Sequence, residues 1–106
     1  MSIIDTSLLI DRVAEGVAVG ENVSIISVIE YPMILEYKDF YGKIFYPDAD
    51  DFKLALELQS KLRRIGRMKS AADLIIAATC INNKEKLITK DSDFDDISEM
   101  SSLDIK

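Results

Sequence analysis

Histidine is absent from this chain, cysteine occurs once, proline twice and glycine four times. The missing histidine excludes histidine acid–base catalysis, serine–histidine and cysteine–histidine nucleophiles, and most zinc sites. Any metal would have to be a hard cation held by oxygen: Mg²⁺, Mn²⁺ or Ca²⁺. The single cysteine, Cys80, cannot close an intramolecular disulfide, and its apolar helical surroundings mark it as core. No apolar run approaches the ~18 residues of a membrane span. The start, MSIIDTSLLID, is acidic where a signal peptide would be basic, and Asp5 breaks its apolar run. These absences lead to the expectation of a cytoplasmic protein that does not enter a membrane.

What is present suits one compact domain spanning 1–106, with 48% hydrophobic residues and alternating strand-type and helix-type runs. The fold class expected is therefore α/β. The net charge of −6 argues at first against a nucleic-acid partner. Its distribution argues otherwise, because KLRRIGRMK at 61–69 holds five cations and no acid, which makes the rest of the chain more acidic still.

In chain order, residues 2–4 read as a short buried strand and Leu8–Val19 as a helix stopped by Gly20. Asp5 lies at the handover, the edge where open parallel sheets bind ligands. It could equally be a helix cap, as could Thr6 or Ser7. Val23–Ile26 reads as a second strand. Ser27 to Glu30 has capping-box spacing, which alone would account for Glu30, and Pro32 either kinks the next helix or opens it. Residues 37–46 hold five of the eight aromatics, either packed onto the core or exposed to a partner. Asp48–Ile65 is the clearest helix, with Leu54, Ala55, Leu58, Leu62 and Ile65 on one arc of about 100°. Lys53, Arg63, Arg64 and Arg67 lie on its far side. Cations near its C-terminus suit the macrodipole, but Arg67 and Lys69 follow the stop at Gly66. Ala71–Ile81 is apolar in nearly every direction and so central; Ser70 caps it, and a capping box with Asp73 is available. Leu87–Thr89 is a strand from which Lys90–Phe94 turn away. Asp95 and Asp96 read as exposed loop charges, and Leu103–Ile105 as an edge strand.

Among nineteen acids a single one means little, but Asp5, Glu30 and Asp91 each follow a short apolar strand. Asp73 stands on the rim of the central helix. Parallel strands would place the first three on one edge. Gathered carboxylates resist ionising together, and divalent cations reverse that cost. Two ions about 3.5–4 Å apart can activate a water and stabilise a leaving oxygen in phosphodiester displacement. The cationic strip would hold the phosphate backbone.

Asp5-Thr6-Ser7 after a first strand, Glu30, SAADLIIAATCI with Asp73, and ITKDSDF with Asp91 and Asp93 together resemble the motifs of PIN-domain ribonucleases. The resemblance spans nearly the whole chain and is nearest to VapC-type toxins and their archaeal relatives. It implies a Rossmann-like PIN fold, a short parallel sheet flanked by helices. The implied activity is Mg²⁺- or Mn²⁺-dependent endoribonuclease cleavage of RNA by a metal-activated water. Asp5, Glu30, Asp73 and Asp91 would be the site acids, with Asp5, Asp73, Asp91 and Asp93 on the metal. Ser7 and Thr89 would be supporting hydroxyls. Lys61, Arg64, Arg67 and Lys69 would contact RNA. An antitoxin protein and a second copy of the chain are the protein partners expected.

The chain departs from the pattern in two places. Typical members carry a helical hairpin, part of the antitoxin groove, where this chain has only the aromatic stretch 37–46. Pro32 follows closely on Glu30. A non-catalytic RNA- or protein-binding module of the same fold is the alternative reading. A phospho-acceptor receiver fits worse, for it needs an aspartate pair after the first strand and a lysine after the last. A haloacid-dehalogenase-type phosphatase would need aspartate at position 7, where Ser7 stands.

Overall fold

A computed structural model describes all 106 residues. Strand β1, Ser2–Ile4, is central. Ile3 and Ile4 are both wholly buried, and because adjacent strand residues point to opposite faces they anchor two different cores. Ile3 joins the larger cluster with Leu58, Leu62, Leu74, Ile76, Leu87 and Phe94. Ile4 joins the smaller one with Leu9, Val19, Val23, Val28 and Ile34. The sheet is thus a layer between two groups of helices.

Helix α1, Thr6–Ala14, begins where the Asp5 carboxylate accepts a hydrogen bond from the Leu8 N–H. It ends well before Gly20: Gly16 takes φ +70°, the left-handed backbone that terminates helices. Val17–Val19 are not helical, and Val19 is buried and bridged to Phe40. Strand β2 is only Val23–Ser24, because the Ser24 hydroxyl accepts from the Ile26 N–H and starts α2, Ile25–Glu30. The expected strand residues Ile25 and Ile26 are therefore helical. Ser27 and Glu30 form no capping box, and Glu30 is the last residue of α2. Pro32 opens a 3-10 turn, Pro32–Glu36, at its first position, where its missing N–H costs nothing.

The aromatic stretch holds no helical hairpin. It contains strand β3, Ile44–Phe45, parallel to β2 with Val23 opposite Ile44. Phe40, Ile44 and Phe45 pack against the cores, whereas Tyr41 and Tyr46 are exposed. The turn into β3 passes so close to β2 that a Cβ on Gly42 would collide with the Glu21 carbonyl.

Helix α3, Ala49–Arg64, starts with a full capping box between Asp48 and Asp51. Ala55, Leu58 and Leu62 are buried as expected, while Ile65, at the C-cap, is exposed. Helix α4, Ala71–Asn82, packs against α3 and is buried on most sides. Strand β4, Lys86–Ile88, pairs in parallel with β1, Ser2 opposite Lys86 and Ile4 opposite Ile88. A bridge from Ile3 to Asn22 joins the β1–β4 and β2–β3 pairs. The all-parallel spatial order is β3-β2-β1-β4, extended at one edge by a single bridge from Leu87 to Ile105. The expected edge strand at 103–105 is no more than that bridge. Asp95 and Asp96 lie not in a loop but in helix α5, Asp93–Glu99, whose Phe94 and Ile97 are buried.

Candidate metal centre

The carboxyl ends of β1 and β4 face the N-terminal turn of α4. Ser70 caps α4 by accepting from the Asp73 N–H at 3.1 Å. The reciprocal half of a capping box is absent, which leaves the Asp73 carboxylate free of that duty. Past β4, the Asp91 N–H donates to Thr89 Oγ1 (2.9 Å) and the Asp93 N–H to Asp91 Oδ1 (2.9 Å). These local bonds curl residues 89–93 so that carboxylate oxygens of Asp73, Asp91 and Asp93 all lie within 4.8 Å of one another. Asp73 is half-buried; Asp91 and Asp93 are exposed. Burial pushes the Asp73 carboxyl above its ordinary range, and the charges of Asp91, Asp93 and Glu30 push it further; the Ser70 bond acts the other way. Oxygen donors crowded at mutual repulsion are a donor set that suits a hard divalent cation.

Asp5 and Glu30 stand beside this trio, tied in by hydroxyls. Asp5 is buried, and its second carboxylate oxygen accepts from the Thr89 hydroxyl, the same hydroxyl that receives the Asp91 N–H. Thr6 Oγ1 donates to Glu30 Oε1 at 2.7 Å and lies 2.8 Å from the Ser27 hydroxyl. With the Pro32 turn after it, Glu30 still stands close enough for its charge to act on Asp73. Ser7, by contrast, is exposed in the first turn of α1, and its hydroxyl bonds to none of the site acids. Thr6 and Ser27 are positioning hydroxyls that sequence reasoning missed. The only available signal was the adjacency of Thr6 to Asp5.

The basic strip divides in two. Lys61 and Arg64 are exposed on α3 and, with Leu56, Glu57 and Ser60, line an open depression of about 380 Å³. Arg67 and Lys69 are paired: Asp96 accepts from Arg67 at 2.8 Å and lies 2.7 Å from the Lys69 ammonium, which stands 3.6 Å from Asp93. These cations hold the Asp96 carboxyl below the usual range. The signal for this pairing was the three-residue step from Asp93 to Asp96, visible only once α5 is recognised as a helix.

A family model for the PIN domain matches residues 33–100. No curated protein matches the sequence. Among solved structures, VapBC-1 from nontypeable Haemophilus influenzae is similar at TM-score 0.75 and 18% identity, covering 99% of this chain and 96% of that one. FitAcB from Neisseria gonorrhoeae, at 18% identity, and VapBC2 from Rickettsia felis bound to a promoter DNA fragment, at 16%, both give TM-score 0.73 over the same shares of each chain. Agreement of that extent at such low identity is agreement of fold, and it matches the short parallel strands between helices described above. The chain belongs to the PIN-domain family.

Proposed function

We propose that this protein is an endoribonuclease dependent on Mg²⁺ or Mn²⁺. The observation that carries the reading is the trio Asp73, Asp91 and Asp93, with oxygens inside 4.8 Å at the carboxyl edge of a parallel sheet. PIN-domain proteins are typically nucleases that use divalent metals. Asp73, Asp91 and Asp93 would hold the metal, with Asp5 and Glu30 completing the acidic rim. A bound divalent ion would supply a polarised water and neutralise charge on the phosphate. The residues do the rest. Thr89 orients Asp5 and at the same time fixes the turn that carries Asp91. Thr6 restrains Glu30. Asp91 and Asp93 are exposed, so a polymer can reach the site, and Lys61 and Arg64 can contact its phosphates from α3.

One similar solved structure is a toxin–antitoxin complex from Klebsiella pneumoniae. A toxin role with a protein partner is supported here by exposed Ile29, Met33 and Leu35 on either side of Glu30 and in the turn after it, an apolar patch of the kind protein partners cover. The test is cleavage of single-stranded RNA by purified protein with Mn²⁺ or Mg²⁺. EDTA should stop it, and Asp73→Asn should abolish it without lowering the melting temperature. Cleavage by Asp73→Asn at the parent rate would place the activity in another site or a contaminant. RNA binding without turnover under either ion would instead leave a non-catalytic module.

A further inference from the structure

Two cations, Arg67 and Lys69, converge on one carboxylate, Asp96. Tying α5 to the loop before α4 needs only one of them, and Arg67 already does it. The Lys69 side chain is 10% exposed, against 58% for Arg67, so its charge is placed with more constraint than an anchor requires. Its backbone is fixed from α3 as well: Gln59 Nε2 donates to the Lys69 carbonyl at 2.6 Å, and the Lys69 N–H donates to Gln59 Oε1 at 3.1 Å. These bonds fix the Lys69 backbone, and the ammonium itself is held against α5 by Asp96 at 2.7 Å. Held there, it faces Asp93, a member of the acidic trio, at 3.6 Å. Together Arg67, Lys69 and Asp96 leave one net positive charge, directed at Asp93.

We propose that Lys69 is a positioning residue that competes with the divalent cation for Asp93 and so sets how tightly the acidic trio binds metal. The inference rests on the reading of that trio as a metal centre. Asp93 cannot give its full charge both to the ammonium and to a metal ion, and the two cations repel across it. Asp96 moderates the competition by drawing the ammonium toward itself, since the Lys69–Asp96 distance is the shorter of the two.

This arrangement predicts opposite signs for the two partners of one ion pair. Lys69→Met keeps the packed stem and removes the charge, so Mn²⁺ affinity should rise by about three- to tenfold. Asp96→Asn leaves Lys69 with Asp93 alone, so affinity should fall by a similar factor. Lys69→Arg should restore nearly the parent value. A purely structural bridge would give the same sign for both losses, because each would loosen the same contact. The measurement is Mn²⁺ binding alone, by calorimetry or by loss of the free-ion paramagnetic resonance signal, on the full chain without RNA. Changes of the same sign for Lys69→Met and Asp96→Asn, or no change in either, overturn the proposal. If Asp96→Asn fails to fold, a rise for Lys69→Met against the parent still decides; if Lys69→Met fails to fold, Lys69→Gln, which also removes the charge, takes its place. Asp73→Asn is the control for the underlying reading. If it binds Mn²⁺ like the parent, the metal centre itself is misassigned. If it loses Mn²⁺ while the Lys69 and Asp96 variants do not diverge, only the role of Lys69 falls.

Discussion

Asp51 is a buried carboxylate, 3% exposed, in the first turn of α3, and replacing it with alanine tests what holds the two principal helices together. One oxygen accepts the Asp48 N–H at 3.0 Å, closing the capping box; the other accepts Asn82 Nδ2 at 2.7 Å from the far end of α4. The Thr79 hydroxyl lies 3.5 Å away and donates instead to the Ile75 carbonyl at 2.8 Å, so it adds little. Two hydrogen bonds to a charged acceptor contribute about 1.5–3 kcal/mol each. Against this stands the desolvation of a buried carboxylate, which the substitution would relieve and which offsets part of the sum. The net expected loss for Asp51→Ala is about 2–4 kcal/mol, or a fall in melting temperature of about 10–25 °C for a domain of this size. Urea and thermal denaturation followed by circular dichroism would measure it. Mn²⁺ binding at a temperature where both proteins are folded should not change, because the rise along α4 separates Asp73 from Asn82 by about 13 Å. A loss below about 1 kcal/mol would refute the reasoning, since the bonds would then do no more than repay desolvation.

Three further outcomes are expected. A carboxyl whose pKa is raised on folding, as for Asp73, binds more protons folded than unfolded, so stability falls as pH rises from the unfolded value through the folded one. Metal-free Asp73→Asn should therefore melt above the parent at pH 7, with the gain vanishing below the unfolded pKa of about 3.9; equal melting at pH 7 would contradict the crowding described. Burial first, then the charges of Glu85 and Asp51, pushes the Cys80 thiol up to about 12. It should resist Ellman's reagent at pH 8 until urea unfolds the protein, and rapid stoichiometric labelling of the native state would be inconsistent with that burial. Gly42→Ala should cost about 2–3 kcal/mol, because its Cβ meets backbone. Gly16→Ala, with open space around it, should cost only about 1–2 kcal/mol of left-handed strain, and a reversed order by denaturation would show the β2–β3 approach to be slack.

Much of the fold could be read from local pattern. Helices α3 and α4 carried long periodic or continuous apolar signals with caps at Asp48 and Ser70, and both begin where expected. Strands β2 and β3 are two residues each, too short for any period, so β3 went unseen and β2 was drawn too long. In α1, apolar Val17 and Val19 continued the helical pattern past Gly16, because burial of Val19 comes from its bridge to Phe40 and not from a helix face. The candidate acids were picked out as residues at strand ends and, for Asp73, at the rim of a helix. Asp73, Asp91 and Asp93, three of the four residues expected on the metal, come together as the trio, while the fourth, Asp5, bonds to Thr89 and Glu30 bonds to Thr6. Side-chain bonds over such separations leave no trace in local sequence. The same holds for Asp96, whose partners Arg67 and Lys69 lie across the α5–loop junction.

The hydrogen bond from Thr89 to Asp5 joins residues 84 positions apart, and β1 has no partner on that side until β4 has been made. During synthesis, Asp5 and Glu30 emerge from the ribosome early, yet the acidic trio draws two of its three members from the passage between β4 and α5. A ribosome-bound nascent chain stopped before residue 86 contains neither β4 nor Asp91 and Asp93. Until those residues are made, the trio cannot assemble. Assembly comes only when the final strand and helix close the sheet, a late and non-local step of the kind that slows folding.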